Sequence, residues 1–237
     1  MNDNELEQYA DEIRESIKEE QSWQITFADM MTLLFAFFVL LFSISSIDPV
    51  KVSQLKDGMG AQPHLKSFNA ISENFKDIIE ELEIEDKAKV SRDPRGVTLE
   101  IDGDICFKSA STDLHETLIQ VLDLAAQQVL ADKQDYRLII VEGHTDSDPI
   151  PQELSDYFPT NWELSSARAS KVVNYLIDIG VNSGKLQASG YADRWPASVS
   201  WYEVRSGKVN NLVIQENNKT LEQRKLNRRI KIVFSKN

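Results

Sequence analysis

Two places in this 237-residue chain combine residue types that could do chemistry. The first is Asp29, the one charged side chain in the apolar run Trp23 to Ile47 (WQITFADMMTLLFAFFVLLFSISSI). A carboxylate at membrane depth costs roughly 2.5 to 3.5 kcal/mol on insertion scales, and one that faces a bundle or a water path is suited to carrying an ion. Thr32, about one helical turn later, adds a hydroxyl oxygen beside it. The competing reading is a hydrated, idle carboxylate, since Trp23 lies only six residues earlier and tryptophan favours the membrane interface. The second place joins Glu142-Gly143-His144-Thr145-Asp146 to Asn161-Trp162-Glu163-Leu164-Ser165-Ser166-Ala167-Arg168-Ala169. A carboxylate on a strand-end loop that faces an arginine in the first turns of the next helix makes a zwitterion clamp. Asp146 suits an ammonium and Arg168 a carboxylate gripped bidentately. The alternative is an internal Asp146–Arg168 salt bridge with no ligand.

The elements that position these groups are readable from pattern. After Asp29, residues 30–47 carry no formal charge and as a helix span roughly 27 Å, most of a hydrocarbon core. A cleaved leader fits poorly, because residues 1–22 hold eight acids against Arg14 and Lys18, where a basic segment is required. A retained transmembrane helix at 23–47 behind an acidic tail at 1–22 is therefore expected. Lys and Arg do not orient it: Arg14 and Lys18 precede the span, and Lys51 and Lys56 follow.

Asp48 and Pro49 form a helix-start pair, so 48–63 reads as a short amphipathic helix on the membrane surface. Over 64–89, Phe68, Ile71, Phe75, Ile78, Ile79 and Leu82 fall on one helical stripe. That stripe serves either packing on the following domain or pairing with a second copy. From residue 90 to 237 strands alternate with helices. Val97–Ile101, Tyr136–Val141, Leu186–Gly190 and Arg229–Phe234 read as strands, and Leu114–Leu130 and Ser165–Ile179 as helices. The fold class expected is one membrane helix followed by an α/β (α+β) domain, β-α-β-α-β with helices on one face of a mixed sheet. The long stretch Trp195–Leu221 is expected as a hairpin or mobile loop, with Trp201 and Tyr202 as packing residues.

Composition narrows the function. A net charge of −12 argues against nucleic acid, which needs a basic face. The single Cys106 allows no intrachain disulfide and reads as a small buried hydrophobe. His64, His115 and His144 lack metal-ligand spacing such as H-E-x-x-H, so neither an enzyme nor a metal site is expected.

Two independent segments resemble known families. Gly143 to Asp146, Asn161 to Ala169, and Asn227-Arg228-Arg229-Ile230 resemble the OmpA-like peptidoglycan-binding domain. Trp23 to Asp48, with Phe27-Ala28-Asp29-Met30-Met31-Thr32 and Phe37-Phe38-Val39-Leu40-Leu41, resembles the membrane helix of flagellar stator B subunits, the MotB and PomB family. The resemblance implies that Asp29, with Thr32, binds the carried ion, and that Asp146 and Arg168 grip the diaminopimelate of peptidoglycan. Thr145, Leu164, Ser165 and Arg228 would line the same site. It further implies a plug helix after Pro49, a homodimer within five MotA/PomA-like A chains, indirect action on a rotor, and an inner-membrane protein with a cytoplasmic N-terminus and a periplasmic C-terminal domain. No cofactor is implied. The transported ion is sodium or a proton, with sodium favoured by the Thr-Phe-Ala-Asp context, although Ala36 replaces a cysteine common in sodium-type members. The acidic tail departs from the basic tail common in the family. A passive membrane-to-wall anchor and a non-flagellar motor subunit are the alternative functions.

Overall fold

A computed structural model describes residues 23–41, 66–108 and 111–236. The expected acidic tail and the amphipathic helix at 48–63 lie outside these residues, as does the span beyond residue 41. The chain divides into an N-terminal unit and a larger C-terminal one. The N-terminal unit contributes helix α1, Trp23–Leu41, whose 19 residues are long and apolar enough to cross a membrane. Within it the Thr26 and Thr32 hydroxyls donate to the carbonyls of Trp23 and Asp29 at 2.9 and 2.8 Å, which keeps both groups satisfied inside the helix.

The C-terminal unit begins with α2, Phe68–Glu81, started by Ser67, whose Oγ accepts from the Ala70 N–H. Its stripe of Phe68, Ile71, Phe75, Ile78 and Ile79 is buried and packs on β1, β2 and α3, the first of the two uses open to it. Hairpin β1 (Ala88–Asp93) and β2 (Gly96–Asp102) follow, then α3 (Glu116–Ala125), capped by the His115 ring and continued by a π turn to Leu130. β3 (Ile139–His144), α4 (Asn161–Asp178) and β4 (Leu186–Gly190) form a parallel crossover. Three short helices, α5 (Trp201–Arg205), α6 (Asn211–Glu216) and α7 (Leu221–Asn227), lead to β5 (Arg229–Ser235). The sheet order is β1-β2-β5-β3-β4, antiparallel except for β3 and β4. The sheet is thus mixed, as expected.

Three elements differ from the sequence reading. The stretch expected as helix to Lys89 ends at Glu81 and becomes edge strand β1, whose sequence AKVSRD lacks a clean alternation. The strand expected over 136–141 runs from 139 to 144, because Glu142, Gly143 and His144 pair with β5, and Glu142 and Gly143 also pair with β4. Residues 195–221 form no hairpin; two short helices, Trp201–Arg205 and Asn211–Glu216, occupy them and a third starts at Leu221, the first and third opened by serine and threonine capping boxes. Within them Tyr202 is 67% exposed rather than packed.

Strand alternation gives the sheet two unlike faces. Val97, Leu99, Ile101, Ile139, Val141, Ile230, Ile232 and Phe234 join α2, α3 and α4 in one apolar core. The alternate positions Glu100, Glu142, His144, Arg229 and Lys231 face the other way and are also largely buried. Trp195, 3% exposed, covers them, with the Lys231 ammonium 4.5 Å and the Arg95 guanidinium 5.0 Å from its ring. His144 stacks on Tyr191 at 5.3 Å and meets the edge of Trp195 at 5.6 Å. Burial, then Arg229, lowers the Lys231 pKa to about 8 against the pull of Glu100 and Glu142.

Burial, then Arg229, Lys231 and Arg95, holds His144 well below the usual histidine range; Glu142, 3.8 Å away, is outnumbered by these cations. An unfolded histidine titrates near about 6.5. The unfolded chain therefore gains a proton as pH falls through that value while the folded chain does not, so stability present above it is lost on acidification. Thermal unfolding between about pH 7 and pH 5.5 should show the midpoint falling with pH, and His144→Phe, which keeps the stack and removes the titration, should flatten that slope. An equal slope in the variant would rule out His144 as its source.

Candidate functional site

The end of β3 is fixed by close backbone packing. A Cβ at Gly143 would overlap the Ser165 carbonyl, and one at Gly190 would overlap Ser166 Oγ, so glycine at both positions lets α4 lie directly on β3 and β4. The start of α4 is held by a capping box between Thr160 and Glu163. Beyond β3, Thr145 N–H donates to the Ala192 carbonyl at 2.9 Å, and the Asn161 amide donates to the carbonyls of Asp146 and Asp148, each at 3.2 Å. The loop that carries Asp146 is therefore tied to the first residue of α4. Leu164 and Arg168, four residues apart on that helix, share a face.

Thr145, Asp146, Leu164, Arg168 and Arg228 are brought together as walls of one open cleft of about 540 Å³, which Asp104 and Phe107 also line. Asp146 does take part in an internal ion pair, but its partner is Arg228: Nη1 donates to Oδ2 at 2.6 Å. Its other oxygen accepts from the Asp148 N–H at 3.1 Å. Arg168 stays separate. One Nη donates to the Ser111 carbonyl at 3.1 Å, and the guanidinium lies 4.8 Å from the Phe107 ring centre. Its Nε is buried and meets no acceptor among the described residues, and Thr145 Oγ1 is in the same condition. Burial, then the neighbouring Arg228, lowers the Arg168 pKa while Cys106 and Asp146 oppose the shift. A desolvated cation with an unmatched N–H is suited to a carboxylate, since an unpaired buried donor costs about 1 to 3 kcal/mol and more when charged. Asp146 retains lone pairs for an ammonium. The cleft can thus hold both ends of a zwitterion.

Ser165 does not line the cleft. It is fully buried behind the wall, where Oγ donates to the Trp162 carbonyl and accepts from the Ala192 N–H, both at 3.1 Å. The helical turn of about 100° per residue explains this: Leu164 and Arg168 face the cleft, and Ser165 faces the chain after β4. Asp104 and Phe107 were not singled out by sequence reasoning. Asp102 precedes Gly103-Asp104 as an N-cap, a turn signal at a strand end, but nothing local ties Phe107 to Arg168.

Each of the other sequence candidates sits within its own unit. Asp29 and Thr32 lie three residues apart on α1, and the Thr32 hydroxyl uses its proton on the Asp29 carbonyl. Cys106 Sγ is buried near the Ile101 carbonyl at 3.7 Å, and burial raises its pKa far above the nucleophilic range. Among the described residues no group of three or more His, Cys, Asp or Glu side chains is placed to hold a metal.

Ser165→Ala should leave the cleft intact but lower stability by about 1 kcal/mol, because it strands the Ala192 N–H; urea unfolding measures this, and an unaltered midpoint would contradict the clamp.

Family models, curated relatives and solved structures all match this chain. The model for membrane MotB of the proton-channel complex MotA/MotB matches residues 7–62, and the OmpA family model matches residues 106–211. A Bacillus subtilis (strain 168) protein, the uncharacterised YtxE, is 33% identical over 242 residues, covering 91% of this chain and 88% of its own length. Motility protein B of Helicobacter pylori (strain ATCC 700392 / 26695) is 25% identical over 250 residues, covering 91% and 86%. Among solved structures, the cell wall anchor of the T6SS from Pseudomonas aeruginosa shares the fold at a TM-score of 0.52 and 24% identity, over 68% of this chain and 97% of that one.

Proposed function

The chain belongs to the MotB-like family of OmpA-domain proteins, and from that premise we propose that it is the B subunit of an ion-driven flagellar stator that carries ions at Asp29 while its C-terminal domain grips peptidoglycan. The observation that carries the wall-binding half is the separation of Arg168 from Asp146: a desolvated guanidinium with an unmatched Nε shares one cleft with a carboxylate that still has acceptor capacity. The free end of diaminopimelate presents an ammonium and a carboxylate on one carbon, which answers both groups. Asp146 takes the ammonium, Arg168 the carboxylate, Leu164 packs on the alkyl chain, and Thr145 offers a hydroxyl.

The ion-carrying half rests on chemistry within α1. Asp29 is its one ionisable residue, and no charged neighbour on the helix neutralises it. Its carboxylate and the Thr32 oxygen lone pairs are hard donors of the kind sodium prefers. Sodium is the ion in our reading, with the proton as the alternative. The remaining donors come from a MotA/PomA-like A subunit, in a complex of two B chains with five A chains. The chain crosses the inner membrane once, with its N-terminus in the cytoplasm and the C-terminal domain in the periplasm. A passive anchor is the second reading, favoured by the occurrence of the same fold in a cell wall anchor. It uses the cleft and has no need of Asp29.

Asp29→Asn should abolish swimming while membrane insertion and binding to purified sacculi persist; full motility in this variant would leave only the anchor. Swimming speed with sodium varied at constant proton-motive force distinguishes the ion. Arg168→Ala should abolish sacculus binding, and Arg168→Lys should recover little of it, because an ammonium lacks the planar fork.

A further inference from the structure

Arg228 stands between two carboxylates. Nη1 donates to Asp146 at 2.6 Å, and Nη2 lies 3.5 Å from Asp104 Oδ1. The Asp104 side of this arrangement is preset by backbone. The Asp104 N–H donates to Asp102 Oδ1 at 3.0 Å, closing the short turn after β2. Gly103 N–H donates to the Arg228 carbonyl at 2.7 Å, and a Cβ at Gly103 would come within 2.7 Å of that same oxygen. Two chain segments distant in sequence are therefore held together at Arg228, with Asp104 at the mouth of the cleft and Asp146 deeper in it. The side-chain exposures agree, at 46% for Asp104 and 9% for Asp146.

This creates a competition that the proposed ligand must resolve. An ammonium arriving at Asp146 meets an oxygen already bonded to a guanidinium, and two cations on one carboxylate repel. If Arg228 had no second station, displacing it would leave its charge unpaired within the cleft. Asp104 supplies that station within a small side-chain movement, and the ligand's ammonium would take the vacated position on Asp146. Lys225 is the other cation near Asp104, at 3.7 Å, but it also has Asp102 at 3.8 Å, so it does not need Asp104 for a partner.

We propose that Asp104 is a positioning residue for ammonium recognition, drawing Arg228 off Asp146 as the zwitterionic ligand docks. The inference rests on the reading of the cleft as the peptidoglycan site. The test uses the full-length chain in detergent, with purified sacculi as the bound phase and soluble meso-diaminopimelate as competitor. Asp104→Asn should weaken competition about threefold, the scale of one partly exposed ion pair, Asp104→Glu should restore it, and thermal midpoints should match. In an Arg228→Ala background, Asp104→Asn should have no further effect, which a merely structural role would not produce. Wild-type competition in Asp104→Asn, or an equal loss in both backgrounds, would overturn the assignment. Arg168→Ala separates the two levels. If it still binds sacculi, the cleft is not the site and both readings fall; if it loses binding while Asp104→Asn is silent, only Asp104 falls.

Discussion

Everything at the cleft depends on how closely α4 approaches the sheet. At Gly143 and Gly190 the backbones of β3 and β4 meet Ser165 and Ser166 with no room for a Cβ. That approach fixes three things at once: the Ser165 hydroxyl reaches the Ala192 N–H, the Asn161 amide reaches the loop carbonyls, and Arg168 is carried to the level of Asp146. A helix standing off by a methyl group would shift Arg168 relative to Asp146, and a clamp for a small zwitterion tolerates little error. The glycine in Gly143-His144-Thr145-Asp146 is thus a spacing device for the residues that follow it.

The second face of the sheet gives that geometry its rigidity at a cost. Burying Glu100, Glu142, Arg229 and Lys231 under Trp195 requires desolvating charges, and buried ion pairs are often less stabilising than an apolar replacement. The layer instead fixes directions. Arg229 donates to the carbonyls of Asn227 and Trp195, and the Arg95–Glu142 pair ties the β1–β2 hairpin to β3. Asp146 follows His144 by two residues and Arg228 precedes Arg229 by one. Asp146 and Arg228 therefore both leave strand ends that this layer holds still, and Trp195 acts on the cleft only through the layer it covers.

Sequence reasoning reached the fold class, the membrane-length helix and the candidates Asp146 and Arg168, because each leaves a local signature: an uninterrupted apolar run, strand alternation, or a short motif at a strand end and a helix start; Thr145, Leu164 and Arg228 came only from the family resemblance. What it missed was set by distant contacts. β1 is a charged edge strand whose pattern means little without its partner β2. Ser165 sits one position from Leu164 yet faces the opposite way. The Asp146–Arg228 pair joins residues 82 apart, and the Arg168–Phe107 stack joins the helix to the segment after β2, far upstream. Polar placement in a mixed sheet is decided by strand order, which no single segment encodes.

On the proposed function, the two sites divide one mechanical task. An ion exchanging at Asp29 can move its partner subunits against the rotor only if something prevents the B chain from turning with them. That resistance must come from the wall, and on the same reading the cleft holds it by a few non-covalent contacts, which is a reversible grip. Reversibility has a use, because a stator that must join and leave a motor needs a grip that forms from several weak charge-assisted contacts and yields when they are lost together. The arrangement around Asp146 fits that need. Its carboxylate is neither bare, which would leave a buried charge unpaired before binding, nor locked in an exclusive pair, which would exclude the ligand. Arg228, shared with Asp104, keeps it neutralised and exchangeable.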